Sequence, residues 1–146
     1  MRILHTADWH VGKRLGRFDR IAETERVLQE VVDVATAAEV DVVIIAGDLF
    51  DRALTAYASL GLVLDTLVRL ASTGARVVAV PGNHDSAELF EVLAPHLSGS
   101  GVTLVARPQR PEAGGVVQDA RGRLGRLRYD GRRRGEVAEW LKAAPC

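Results

Sequence analysis

Three short apolar runs, residues 2–7, 41–46 and 76–80, each stop abruptly at a cluster of carboxylate, imidazole or amide side chains. The stretches between them change period. In residues 19–39, Ile21, Leu28, Val31, Val32 and Ala35 recur at helical spacing, with charges on the other side. In residues 54–72, Leu60, Val63, Leu64, Leu67 and Leu70 do the same, and Gly74 stands where a helix-terminating glycine belongs. Short runs rich in Val, Ile or Leu and bounded by polar or Gly/Pro residues read as strands. A third helix is predicted over 86–97, with Ser86 as its N-cap and Leu89, Val92 and Leu93 on its apolar side, followed by a fourth strand over 101–106. Strand and helix in strict alternation require crossover connections, hence an α/β fold with a parallel sheet buried on both faces.

At 146 residues with 47% hydrophobic side chains, the chain can bury one domain's core. Its formal charge is zero but unevenly placed. Residues 1–106 carry 9 Lys and Arg against 14 Asp and Glu, and residues 107–146 carry 10 against 5. An acidic front is a poor phosphate-binding surface unless bound cations cancel some of its carboxylates. The single cysteine, Cys146, allows no internal disulfide, and no apolar stretch is long enough to span a membrane, so a cytoplasmic location is expected.

The chemistry sits where the strands end. The first run leads into Asp8-Trp9-His10, the second into Gly47-Asp48-Leu49-Phe50-Asp51, and the third into Pro81-Gly82-Asn83-His84-Asp85. In open α/β sheets, ligands bind beyond the carboxyl ends of the strands, so these clusters share one rim. Taken singly, an Asp-x-His is commonly a surface turn and Gly-Asp is a routine turn dipeptide. Gly-Asn-His-Asp is harder to explain by packing, and three such clusters at consecutive strand ends point to a site. Oxygen and imidazole donors without thiolate suit manganese, iron, zinc or nickel rather than a structural zinc. The glycines before Asp48 and Asn83 are expected to permit sharp turns and leave room for a phosphate.

Other residues carry weaker signals. Lys13, Arg14, Arg17 and Arg20 follow the first cluster, where they could meet a DNA backbone or simply be solvated. Trp9 reads as support packed beside the site, His5 as a core or rim residue of the first strand, and His96 as a surface or capping residue. Arg132, Arg133 and Arg134 read as a solvated run.

Asp-x-His, Gly-Asp-x-x-Asp and Gly-Asn-His-Asp in this order resemble the signature of the calcineurin-like metallophosphoesterases. The longer strings His5-Thr6-Ala7-Asp8-Trp9-His10, with Gly12 following, and Ala46-Gly47-Asp48-Leu49-Phe50-Asp51 are most similar to the SbcD-type DNA exonuclease subunits. The resemblance covers residues 1–117. It implies a four-layer α/β/β/α sandwich, of which this chain carries mostly the first parallel sheet half. It further implies a two-metal centre, with manganese the expected ion, that hydrolyses DNA phosphodiester bonds. The partners it implies are DNA and a coiled-coil ATPase of the SbcC type, and it allows a homodimer. On the family pattern Asp8 and His10 bind the first metal, Asp48 bridges both, and Asn83 binds the second. His84 acts on the developing charge or the leaving oxygen, and Asp85 orients it.

The family completes its centre with later histidines, whereas this chain has His5, His10, His84 and His96 and none beyond. The first metal loses one ligand by that comparison and the second loses two, so one bound metal or fewer is expected here. Residues 118–146, biased to Arg and Gly, resemble neither the family nor a periodic element; they are expected to be poorly ordered and to reflect a truncated or frameshifted product with impaired activity. The alternatives are a small-molecule or cyclic-nucleotide phosphoesterase of the same fold, and a noncatalytic fragment.

Overall fold

In a computed structural model the apolar runs become a four-stranded parallel sheet. The structure describes residues 1–107 in full, together with the backbone of 116–118, 124–128 and 139–140. The elements run β1 (Ile3–Thr6), β2 (Arg14–Leu15), β3 (Phe18–Asp19), α1 (Ile21–Ala37), β4 (Val42–Ala46), α2 (Tyr57–Ser72), β5 (Arg76–Val80), α3 (Ala87–Leu97) and β6 (Val102–Leu104). The main sheet has the order β1-β4-β5-β6, each neighbouring pair parallel, with Thr6 opposite Ile45 and Ala46 opposite Val80. The register brings the carboxyl ends of β1, β4 and β5 to one edge.

Because each crossover steps to the next strand in the same direction, the right-handed rule places every helix on one face. The core agrees. Leu28, Val32 and Ala35 of α1, Val63, Leu67 and Leu70 of α2, and Phe90 and Leu97 of α3 form a single cluster with Val43, Ile45, Val77, Ala79, Val102 and Leu104 of the strands. Val42, Ile44 and Val78 point to the opposite face and are buried as well. The expectation of burial on both faces fails at β1, the sheet edge, where Ile3 is 39% exposed and His5 is exposed rather than part of the core.

Local signals act as the sequence reading expects, with one exception. Gly74 takes φ +92° immediately after the end of α2, a conformation that costs an L-residue energy and glycine little. Ser86 caps α3, its Oγ accepting the Leu89 N–H at 3.1 Å. Ser86→Ala is expected to lower the stability of the chain by about 1 kcal/mol, read as a shift in the midpoint of urea unfolding. The exception is Val92, which is 64% exposed, whereas Phe90 is buried at 1% in the core cluster that includes Val102 and Leu104 of β6. A hairpin that the periodicity did not announce, β2–β3, turns at Gly16 with φ +59°.

Farther along, β7 (Val116–Gln118), β8 (Leu124–Arg128) and β9 (Glu139–Trp140) pair antiparallel in that order. They fall in a stretch where the sequence shows no period. The rest of the expected poorly ordered tail lies outside the described residues.

Candidate metal centre

Two of the three strand-end loops are extensions of the sheet. Past β1 and β4 the chains keep running side by side, with Asp8 N–H donating to Gly47 O at 3.1 Å, His10 N–H to Asp48 O at 2.9 Å and Val11 N–H to Leu49 O at 2.9 Å. A parallel bridge between Val11 and Phe50 completes the zipper. This pairing holds an unusual backbone. Among the described residues, four non-glycine residues have positive φ, and three of them are Asp8 (57°), His10 (44°) and Asp48 (51°). Sparsely populated backbone of this kind costs about 1–3 kcal/mol per residue and persists where the surroundings enforce it, most often at functional sites.

The side chains converge. Ligand-capable atoms of His10, Asp48 and His84 all lie within 4.8 Å of one another. The His10 and His84 rings meet edge to face, with centroids 4.9 Å apart. His10 Nε2 is 3.8 Å from Asp8 Oδ1. Asp48 is buried, and its Oδ1 accepts the His84 backbone N–H at 2.9 Å. His10 Nδ1 is buried without a hydrogen-bond partner, the one such side-chain atom among the described residues. A buried polar atom in that state costs free energy unless something fills its coordination. An imidazole with an orphaned nitrogen, clustered with the carboxylates of Asp8 and Asp48 and with no thiolate, fits a divalent cation.

The third loop departs from expectation in two ways. Asp85 does not orient His84. Its carboxylate accepts backbone N–H groups from Leu49 (3.1 Å), Phe50 (2.9 Å) and Gly82 (2.9 Å). The ring of His84 is instead held by its Nδ1, which lies 2.8 Å from the carbonyl oxygen of Asp51. A carbonyl can only accept, so Nδ1 carries the proton and Nε2 is the nitrogen left for other work. Asp51 was visible in the motif, but a main-chain contact leaves no trace in residue type. The second departure concerns Gly82. The space left by its missing side chain is taken by Asp48 rather than kept for a phosphate. Asn83 and His84 are exposed.

An open cleft of about 260 Å³ adjoins the cluster, lined by Asp8, Trp9, His10, Lys13, Arg20 and Glu23 among others. Trp9 supports the site as expected, half-buried, packed against the core, and donating from Nε1 to Thr6 Oγ1 at 2.9 Å. Of the four basic residues, Lys13 and Arg20 line the cleft. Arg14 donates to the Arg17 carbonyl, and Arg17 lies over the Phe18 ring. Arg20 grips Glu23 through two nitrogens, at 2.7 and 2.6 Å, and this hydrogen-bonded pairing holds the Glu23 carboxyl below its usual range. His96 sits exposed in the last turn of α3. Among the described residues no helix is long and apolar enough to cross a membrane.

Comparison with known proteins agrees with this geometry. The family model described as calcineurin-like phosphoesterase matches residues 1–134. The chain is 35% identical over 109 residues to the SbcD component of the SbcCD nuclease of Bacillus subtilis, covering 74% of this chain and 28% of that protein. It is 40% identical over 86 residues to the Escherichia coli K12 protein of the same name, covering 59% and 22%. It is 33% identical over 97 residues to the DNA double-strand break repair protein Mre11 of Saccharolobus solfataricus, covering 66% and 26%. The chain thus spans about a quarter of the length of these relatives. With an αL Asp-x-His zipped to a buried Asp48, a glycine-backed Asn-His turn facing them, and a family match across most of its length, the chain belongs to the calcineurin-like phosphoesterases.

Proposed function

We propose that Asp8, His10, Asp48 and Asn83 hold divalent cations, manganese first among them, in a centre that hydrolyses phosphodiester bonds of DNA. The observation that carries this reading is the buried, unpartnered Nδ1 of His10, a residue whose ring gathers with Asp48 and His84, where the backbone positions Asp8, His10 and Asp48 all take positive φ. Such strain, maintained by a hydrogen-bonded zipper, keeps donors in place before any ligand arrives. Names of the relatives, a nuclease component and a double-strand break repair protein, support DNA as the substrate.

When bound, a pair of divalent cations would make water a usable nucleophile near neutral pH and offset charge on the phosphate. The protein's own contribution is positional. Asp8 and His10 would hold the first cation, Asn83 the second, and Asp48, whose Oδ1 accepts the His84 N–H, would be shared. His84 presents Nε2, with Nδ1–H fixed on the Asp51 carbonyl, to the phosphate or the leaving oxygen. Lys13 at the cleft is a cation that can meet a phosphate backbone, whereas the charge of Arg20 is answered by Glu23. A cytoplasmic DNA-processing role with an SbcC-type ATPase partner goes with this reading.

Calorimetric titration of the metal-stripped chain with manganese tests it. Saturable binding is expected, strongest at the site of Asp8, His10 and Asp48, with cleavage of duplex DNA ends that a chelator abolishes. Since no histidine follows His96, turnover by the 146-residue polypeptide alone is expected to be weak. Absence of binding heat up to about 1 mM manganese would remove the reading. Turnover of a small phosphodiester without DNA cleavage would move it to the small-molecule branch of the family.

A further inference from the structure

Among the described residues, the hydrogen bonds of the Asp85 carboxylate go to backbone N–H groups and none to the His84 ring. Its Oδ2 takes the N–H groups of Leu49 and Gly82, and its Oδ1 takes that of Phe50. We infer that Asp85 is a positioning residue, a carboxylate clamp that holds the β4 loop against the β5 loop from behind the metal centre, and not the group that orients His84. The inference rests on reading Asp48 and Asn83 as cation ligands.

The geometry explains why a carboxylate is needed there. Gly47 and Asp48 have consecutive positive φ values, 91° and 51°, and the N–H groups of the next two residues turn to one side. Successive amides so disposed form a concavity that binds anions. An ionised carboxylate offers two oxygens and accepts without donating, so it can satisfy three N–H groups at once through charge-assisted bonds. Its donors are also the immediate neighbours of the proposed ligands, Leu49 beside Asp48 and Gly82 beside Asn83. Two other hydrogen bonds join these loops, His84 N–H to Asp48 Oδ1 and His84 Nδ1–H to the Asp51 carbonyl, and the first of them uses a ligand oxygen. A cation drawing on Asp48 weakens that first bond, which leaves the two Asp85 bonds to Leu49 and Phe50, with the His84–Asp51 contact beside them, to keep the loops in register.

Asp85→Asn tests the clamp with little change in shape. The amide can place one oxygen where the carboxylate had two, and its NH2 group then faces an N–H donor, so at most two of the three bonds survive. Manganese affinity measured by calorimetry is expected to fall by roughly 10- to 100-fold. In the metal-free protein, the amide signals of Leu49, Phe50 and Gly82 are expected to shift and exchange faster, while the 15N signature of the His84 ring keeps its Nδ1–H tautomer. Unchanged affinity and unchanged amides in the variant would overturn the clamp, as would loss of the Nδ1–H form of His84. Should the variant fail to fold, the wild type decides alone. Scalar couplings across the hydrogen bonds from the Leu49, Phe50 and Gly82 amides to the Asp85 carboxyl carbon are expected, and their absence would equally overturn it. A wild type that binds no manganese would remove the function proposed above, whereas the amide readings still decide the clamp.

Discussion

Asp48→Ala is expected to abolish manganese binding, raising the dissociation constant above about 1 mM, while Asp48→Asn weakens it without that collapse. The two variants separate charge from shape. Asparagine tolerates φ +51° and can keep an oxygen for the His84 N–H, so it removes only the negative charge and half the donor capacity. Alanine removes the carboxylate entirely, strands the His84 N–H, and places a Cβ-bearing residue without a compensating side chain in left-handed backbone. Loss of that charge-assisted hydrogen bond alone destabilises by about 1.5–3 kcal/mol. Calorimetry for the cation and urea unfolding for the fold should therefore show both falling in alanine and only the first falling in asparagine. Manganese bound equally well by all three proteins would mean that Asp48 is a structural residue and that the centre lies elsewhere.

Gly82→Ala is expected to be at least as damaging, although position 82 has no side chain and no role as a ligand. A Cβ built there would overlap Asp48 Oδ1 outright and lie 2.5 Å from the Asp48 backbone nitrogen. The side chain could swing away, but only by leaving the cluster, and the backbone nitrogen cannot move without opening the zipper of Asp8 and His10 against Gly47 and Asp48. Overpacking of this sort costs about 3 kcal/mol. Manganese affinity is expected to drop on the order of a hundredfold, as for other residues that hold ligands from behind. A variant with wild-type affinity and melting temperature would show that the loops yield more easily than their hydrogen bonding implies.

These effects mark where reading the sequence succeeds and where it stops. Strand and helix alternation was legible because each element repeats a simple period, and the ends of α2 and α3 were legible because Gly74 and Ser86 act through local backbone chemistry. The clustering of Asp8, His10, Asp48 and His84 at one rim followed from the parallel sheet alone. Position within the sheet was not legible. A run such as Ile3-Leu4-His5-Thr6 reads the same at an edge as in the middle, so the exposure of His5 appears only with the order β1-β4-β5-β6. Phe90 and Val92 are two residues apart on a short helix, and its rotation against β6 decides which is buried. The partner of His84 was hidden for another reason. A carbonyl belongs to every residue, so nothing in the letters distinguishes Asp51 as an acceptor through its main chain.

The side-by-side course of the loops after β1 and β4 bears on the order of events when the chain folds. Residues 8 and 48 are brought together by contacts across 39 intervening positions, and residue 83 joins only after β5 has added to the same edge. Such long-range closure is slow compared with the formation of α1 or α2, each of which needs only local contacts. A half-folded chain, with helices made but strands unpaired, holds the proposed cation donors scattered. On the proposed function, capture of the ion and completion of the sheet are one event, and the rate of the second sets the earliest moment of the first.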